Sequence, residues 1–224
     1  MSQALFITGT GAGVGKSTAA QAMLQALADG GYDTAFYKPV VSGTDSIPES
    51  DAGRLRTACG LEQDVLTLTS YVFKEAVSPH LAAAHLLQPV DLEMIQADFA
   101  SVSLLHDVTL VEGCGGIICP YTLYADGRRV MQSDLLKALR LASVIVADSG
   151  VGTLNATLLT IAYMRANDLP LAGVILNRFD AADEVHQDNL ATIELLGGVD
   201  VVATIAEGGA FSLRKPFFLF TDED

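Results

Sequence analysis

Short apolar runs recur along the chain at Leu5–Thr8, Thr34–Tyr37, Val108–Val111, Val144–Ala147, Leu171–Leu176 and Val201–Ile205. Between them, Ser17–Leu27, Leu92–Leu105, Gln132–Leu141, Leu154–Ala166 and His186–Leu196 carry apolar residues at helical spacing. Buried strands alternating with helices predict an α/β fold, a mostly parallel sheet covered by helices on both faces. Asp91 and Ser133 stand where helix N-caps belong, and Gly30-Gly31 and Gly197-Gly198 where helices stop. Ser42–Ser50, rich in Ser, Gly, Asp and Pro, reads as a loop after the second strand. No repeat, low-complexity tract or linker divides the chain, so one domain over residues 1–224 is expected. In such a sheet ligands gather beyond the carboxyl ends of the strands, and the residues that follow each run carry the functional signal.

The first strand is followed by Gly9-Thr10-Gly11-Ala12-Gly13-Val14-Gly15-Lys16-Ser17 and then by helix formers. Strand, glycine loop and helix in that order bind nucleotide phosphates, because glycines let successive N–H groups point inward. Lys16 then supplies charge to the β- and γ-phosphates and Ser17 a hydroxyl to magnesium. Gly9 and Gly15 enclose five residues where the common pattern has four. A purely structural glycine turn is the competing account; the context and the Lys-Ser ending argue against it.

Other strand ends are less specific alone. Lys38, in Tyr37-Lys38-Pro39-Val40-Val41-Ser42-Gly43, is either a second cation for a transferred phosphoryl group, aided by the Ser42 hydroxyl, or a solvated lysine. Glu112 ends the Val108 run before Gly113-Cys114-Gly115-Gly116, a place from which a carboxylate serves Mg²⁺. Asp51 either caps a helix or completes an oxygen-only magnesium site with Ser17 and Glu112. Gly150-Val151-Gly152-Thr153-Leu154-Asn155 is a helix start able to receive a carboxylate, or simply a capped helix. Asp148 is a strand-end polar residue with a metal-water role as an alternative. Asn177 suits the edge of a purine, and Asn177-Arg178-Phe179-Asp180 also spells the Asn-x-x-Asp of guanine readers, which leaves the base open. His80 either marks a helix start near substrate or is an ordinary surface or core residue.

Composition narrows the field. Of 224 residues half are apolar, enough for a substantial core, and a formal charge of −14 with 13 Lys and Arg argues against nucleic acid or an anionic membrane as partner. The three cysteines Cys59, Cys114 and Cys119 lack zinc-site spacing and read as reduced thiols of a cytoplasmic protein. No export signal or membrane span is visible.

Taken in order, the motifs resemble the dethiobiotin synthetase family of P-loop ligases, from residue 1 to about 196. That family's lengthened Gly-x5-Gly-Lys-Ser/Thr loop matches Gly9–Ser17. Its Tyr-Lys-Pro-Val-x-Ser-Gly matches Tyr37–Gly43, its Ser-Asp-Ala Ser50–Ala52, its Ser-Pro-His Ser78–His80, its Val-Glu-Gly-x-Gly-Gly Val111–Gly116, and its Gly-x-Gly-Thr-x-Asn Gly150–Asn155. The resemblance implies an ATP- and Mg²⁺-dependent closure of dethiobiotin from 7,8-diaminononanoate and CO2. It also implies ATP contacts from Gly13, Val14, Gly15, Lys16, Ser17, Thr18 and Asn177, and magnesium held by Ser17, Asp51 and Glu112. Lys16, Lys38 and Ser42 would be catalytic, with Lys38 and Ser42 also touching substrate. Gly152, Thr153, Leu154 and Asn155 would take the substrate carboxylate across a homodimer interface.

Some positions depart from that pattern. Ala12 and Gly13 stand where many members carry a hydroxyl and an acidic residue, and Val201–Glu207 lacks a Gly-x-x-Pro turn. The Phe-rich tail Phe211–Phe220 has no counterpart and is expected to pack on the core or on a partner subunit. Two other readings compete. A cobyrinate-type amidotransferase needs a glutaminase domain for which 224 residues leave no room, and a partitioning or division-site ATPase needs a second lysine between Gly9 and Gly15, where there is none.

Overall fold

The computed structural model describes residues 2–220; residues 1 and 221–224 of the expected domain lie outside that range. In chain order the elements are β1 (Gln3–Gly9), α1 (Lys16–Asp29), β2 (Thr34–Tyr37), β3 (Val40–Ser42), α2 (Asp51–Cys59), β4 (Tyr71–Phe73), α3 (Pro79–His85), α4 (Leu92–Ser103) and β5 (Val108–Glu112). There follow β6 (Pro120–Leu123), β7 (Arg129–Met131), α5 (Gln132–Leu139), β8 (Ala142–Asp148), α6 (Thr153–Ala166), β9 (Leu171–Asn177), α7 (Glu184–Gly197), β10 (Val201–Ile205) and β11 (Phe211–Leu213).

Seven strands form the main sheet in the order β11-β10-β9-β8-β1-β5-β2, parallel except for β11. Every run expected as a strand lies in it. Alternate residues of each strand feed opposite faces, and both faces are buried. Leu5 and Ile7 pack with Ala20, Met23 and Leu24 of α1 and Leu55 of α2. Phe6 joins the opposite core, with Ile95 of α4, Leu135 of α5, Ile161 of α6 and Ile193 of α7.

Helix ends follow the expected chemistry at α4 and α7 and depart from it at α5. Asp91 caps α4 by accepting from Glu93 N at 2.9 Å, and Gly198 closes α7 in the left-handed conformation. Ser133 is not a cap: the cap position falls two residues earlier, at Met131, and Asp134 reaches back to Met131 N at 2.9 Å. Asp134 wins because its carboxylate spans the first turn and faces the positive end of the helix. The expected Ser42–Ser50 loop is also shorter, since Ser42 ends β3, which pairs with β4 in a separate two-stranded sheet. Pro39 cannot extend the main ladder and diverts the chain there.

The Phe-rich tail packs on its own core. β11 pairs antiparallel with β10, and the Phe220 ring lies 5.2 Å from Phe211 and 5.1 Å from Phe217, beside the C-terminal end of α1. Phe217 and Phe220 are buried. No helix among the described residues is long and apolar enough to cross a membrane.

Candidate active site

The glycine loop leaves β1 at Gly9 and enters α1 at Lys16. Gly15, at the turn into the helix, has φ 93°, and a Cβ there would fall 1.9 Å from the Asn177 amide nitrogen, so only glycine fits. Lys16 is buried and folds back to donate to Gly11 O at 2.9 Å. Burial pulls its ammonium pKa below the usual lysine value, with Glu112 opposing the shift. A cation so stripped of water gains strongly from an incoming phosphate.

Lys38 and Glu112 reach the same place from the ends of β2 and β5. The Lys38 ammonium lies 2.7 Å from Glu112 Oε1 and also pairs with Asp51. Burial alone would lower the Lys38 pKa, but Glu112 and then Asp51 outweigh it, so the ammonium titrates above the usual lysine range. Ser17 Oγ donates to the same Glu112 oxygen at 3.0 Å. Asp51 arrives because Ser50 caps α2, accepting from Gly53 N at 3.0 Å; Asp51 is the first helical residue, not the cap.

Ser17, Asp51 and Glu112 form an all-oxygen set suited to a hard divalent cation. Glu112 Oε2 is buried without a hydrogen-bond partner, a lone acceptor of the kind a bound cation satisfies. Among the described residues no cluster of three His, Cys, Asp or Glu side chains could hold a metal by itself. Two carboxylates and a hydroxyl suit Mg²⁺, which keeps waters and phosphate oxygens in its shell. Lys38 and such an ion draw on the same two carboxylates.

Gln132, which the sequence did not single out, fixes the turn after β5. It is fully buried, donates to Thr8 Oγ1 at 2.9 Å and to Gly116 O at 3.1 Å, and accepts from Tyr121 OH at 3.1 Å. A Cβ on Gly113 would stand 2.4 Å from its Oε1, so the glycine admits the amide. Cys114 donates its thiol to Val40 O at 3.0 Å, and burial pushes that thiol up to about 12.

A cleft of ≈ 450 Å³ brings together Gly13, Gly15, Lys16, Ser17, Thr18, Lys38, Ser42, Asp51 and Glu112. Val14 does not line it; its side chain packs on the core and its carbonyl accepts from Asn177 Nδ2 at 3.1 Å. Asn177 thus braces the loop from beneath. The Asp180 carboxylate accepts from Ala182 N at 2.8 Å in a local turn. Within one chain Gly152, Thr153, Leu154 and Asn155 stay outside the cleft; Gly152, at φ 94°, precedes α6, whose next turn lines a second cleft of ≈ 330 Å³ with Gly11 and Ile118. His80 lines a third groove with Thr122 and Tyr124. Arg178, which carried no sequence signal, lines the same cleft as Lys16 and pairs with Asp148.

A glycine loop between a central parallel strand and a helix, with a lysine and a hydroxyl at its end, defines a P-loop nucleotide-binding protein. Residues 3–208 match the AAA domain family (AAA_26). A protein named ATP-dependent dethiobiotin synthetase BioD from Brachyspira hyodysenteriae is 38% identical over 208 residues, 93% of this chain and 94% of that one. Proteins of the same name from Clostridium perfringens and Clostridium novyi are 32% and 33% identical over 209 residues, covering 92% of this chain and 91% and 87% of theirs. The chain belongs to the ATP-dependent dethiobiotin synthetase family. Among solved structures, the MinC:MinD cell division protein complex of Aquifex aeolicus superposes with a TM-score of 0.58 at 16% identity, over 92% of this chain and 81% of that one, a likeness of fold alone.

Proposed function

We propose that the protein, a single domain over residues 1–224 acting in the cytoplasm, closes the ureido ring of dethiobiotin from 7,8-diaminononanoate and CO2 at the expense of ATP, in biotin biosynthesis. The observation that carries this reading is the meeting of Lys16 and Lys38 in one cleft with Ser17, Asp51 and Glu112. One substrate amine takes up CO2 as a carbamate, and a carbamate oxygen attacks the γ-phosphorus while ADP leaves. The second amine then adds to the activated carbonyl, loses a proton and expels phosphate.

Such a route needs positioning and charge neutralisation more than covalent help from the protein. Gly13, Gly15, Lys16, Ser17 and Thr18, with Val14 through its backbone N–H alone, cradle ATP phosphates, and Lys16 carries charge to the transferred group. Lys38, kept protonated by its acidic partners, attracts the carbamate and offsets charge as the phosphoryl group moves, and Ser42 at the end of β3 orients the substrate. Ser17, Asp51 and Glu112 would hold Mg²⁺, which when bound would supply further positive charge beside the phosphate oxygens. Asn177 contacts adenine with the amide capacity left after its bond to Val14. A homodimer would let Gly152, Thr153, Leu154 and Asn155 at the head of α6 receive the substrate carboxylate of the neighbouring subunit, which suits their position outside the cleft of their own chain.

Purified protein with Mg²⁺ and ATP is expected to release phosphate only when both diaminononanoate and bicarbonate are present. Equal release without the diamine overturns the ligase reading, and a monomeric mass in sedimentation with all substrates present overturns the shared site.

A further inference from the structure

Arg178 follows the end of β9 with φ 55°, a left-handed conformation uncommon for a residue with a long side chain. Both of its neighbours are pinned. Ser149 Oγ donates to Asn177 O at 2.8 Å, and Phe179 N donates to Ile205 O at 2.8 Å. Ser149 is itself set by Asn189, whose amide donates to Ser149 O at 2.8 Å and to Gly150 O at 3.1 Å. A backbone conformation so over-determined is the kind retained where it aims a side chain.

That side chain points to the phosphate loop. The Arg178 guanidinium donates through Nε to Asp148 Oδ2 at 3.0 Å and through Nη2 to the same oxygen, while Nη2 also reaches Gly13 O at 3.4 Å. Asp148 is oriented in turn by Gly150 N, which donates to its Oδ1 at 3.1 Å. Burial favours the neutral Asp148 carboxyl, but the hydrogen bonds from Arg178 and from Gly150 N, with the Arg178 charge, together outweigh it and hold the group below the usual carboxylate range. Ala12 and Gly13 at the tip of the loop bring no polar side chain to anchor it, and Gly13 is left-handed with open space around it. The loop is therefore braced twice from β9, at Val14 by Asn177 and at Gly13 by Arg178.

We propose that Arg178, clamped by Asp148, is a positioning residue that holds the tip of the phosphate loop in the conformation that receives nucleotide. This rests on the nucleotide-binding reading of the cleft. It acts through the Gly13 carbonyl, and its loss lowers the fraction of loops ready for phosphate. Apparent affinity falls in proportion to that fraction, so a drop to a tenth weakens ATP binding about tenfold.

The test compares wild type with Arg178→Met, which keeps the stem and loses the fork, Arg178→Lys, and Asp148→Asn. ATP affinity is measured by calorimetry with Mg²⁺ and without diamine, and steady-state constants are measured alongside. For Arg178→Met, the Kd and KM for ATP are expected to rise about tenfold with kcat within about twofold and the KM for diamine unchanged. Arg178→Lys should fall between. Asp148→Asn should shift ATP affinity in the same direction and add nothing in the Arg178→Met background. A merely structural role would lower the melting temperature and active fraction without this split of KM from kcat. Unchanged ATP affinity in Arg178→Met, or a fall in kcat at constant KM, overturns the assignment. If Arg178→Met does not fold, wild-type ATP affinity in Arg178→Lys together with Asp148→Asn does the same. Wild-type protein that binds no ATP refutes the reading of the cleft itself.

Discussion

Lys38 and Glu112, 74 positions apart in the chain, meet at 2.7 Å because β2 and β5 are parallel neighbours whose carboxyl ends open on the same cleft. Each is nearly fully buried, with 8% and 1% of its surface exposed. Neither charge would be tolerated there alone; Glu112 and Asp51 balance Lys38 and Lys16, the two cations that share their cleft.

Replacing Lys38 by Gln is expected to lower turnover by roughly 10²–10³ while nucleotide affinity changes little, since in the proposed reaction the ammonium acts chiefly as charge shifts during phosphoryl transfer. Steady-state rates beside ATP binding by calorimetry check this. The fold should persist with reduced stability, by about 3 kcal/mol, because Glu112 loses its buried partner. Retained turnover would make the lysine a structural counter-ion only.

Glu112→Gln keeps the hydrogen-bonding outline at Ser17 and Lys38 and removes one charge. The Mg²⁺ concentration for half-maximal activity should rise by about tenfold or more, read from a magnesium titration at saturating ATP. An unchanged midpoint would exclude Glu112 from the metal site.

Alkaline pH offers an independent check on the ion pair. The folded Lys38 pKa stands above the ordinary lysine value of 10.5, so its contribution is complete below 10.5 and is lost as pH rises through the raised folded value. The gap in urea midpoint between wild type and Lys38→Gln should hold steady from pH 7 to pH 9 and narrow only above about 10.5. A gap that closes near pH 7 would contradict the pairing.

Much of this was legible in the chain and some was not. All the long runs became strands of the main sheet, because a strand buried on both faces must be apolar throughout. β3, β4, β6 and β7 span only three or four residues and gain stability from partners remote in sequence, so no local period announces them. α2 was signalled only by Asp51 as an alternative cap, because the segment is polar and carries Gly53, which is needed here since a Cβ would strike Ile47 O at 2.3 Å. Lys38 and Asp51 had credible local alternatives, and only the fold sets them against Glu112. Gln132 and Arg178 follow from contacts across strands, where motif spacing carries no information.

The tail supplies a stability test. Phe220→Ala removes a ring that is 4% exposed and packed on Phe211 and Phe217. It should cost roughly 3 kcal/mol and lower the Tm by about 6–10 °C in calorimetry, with kcat unaffected because the ring lies beside the far end of α1 from the glycine loop. An unaltered Tm would mean that the aromatic cluster adds nothing to the core.

β11 also settles what becomes of the outer flank of β10. By running backwards along it, three residues occupy donors and acceptors that would otherwise face solvent as an open ladder. The aromatic segment thus acts as a selvedge on the sheet: a chain cut before Phe211 would offer β10 as a seam for stitching to another molecule, and its first symptom would be self-association rather than lost chemistry.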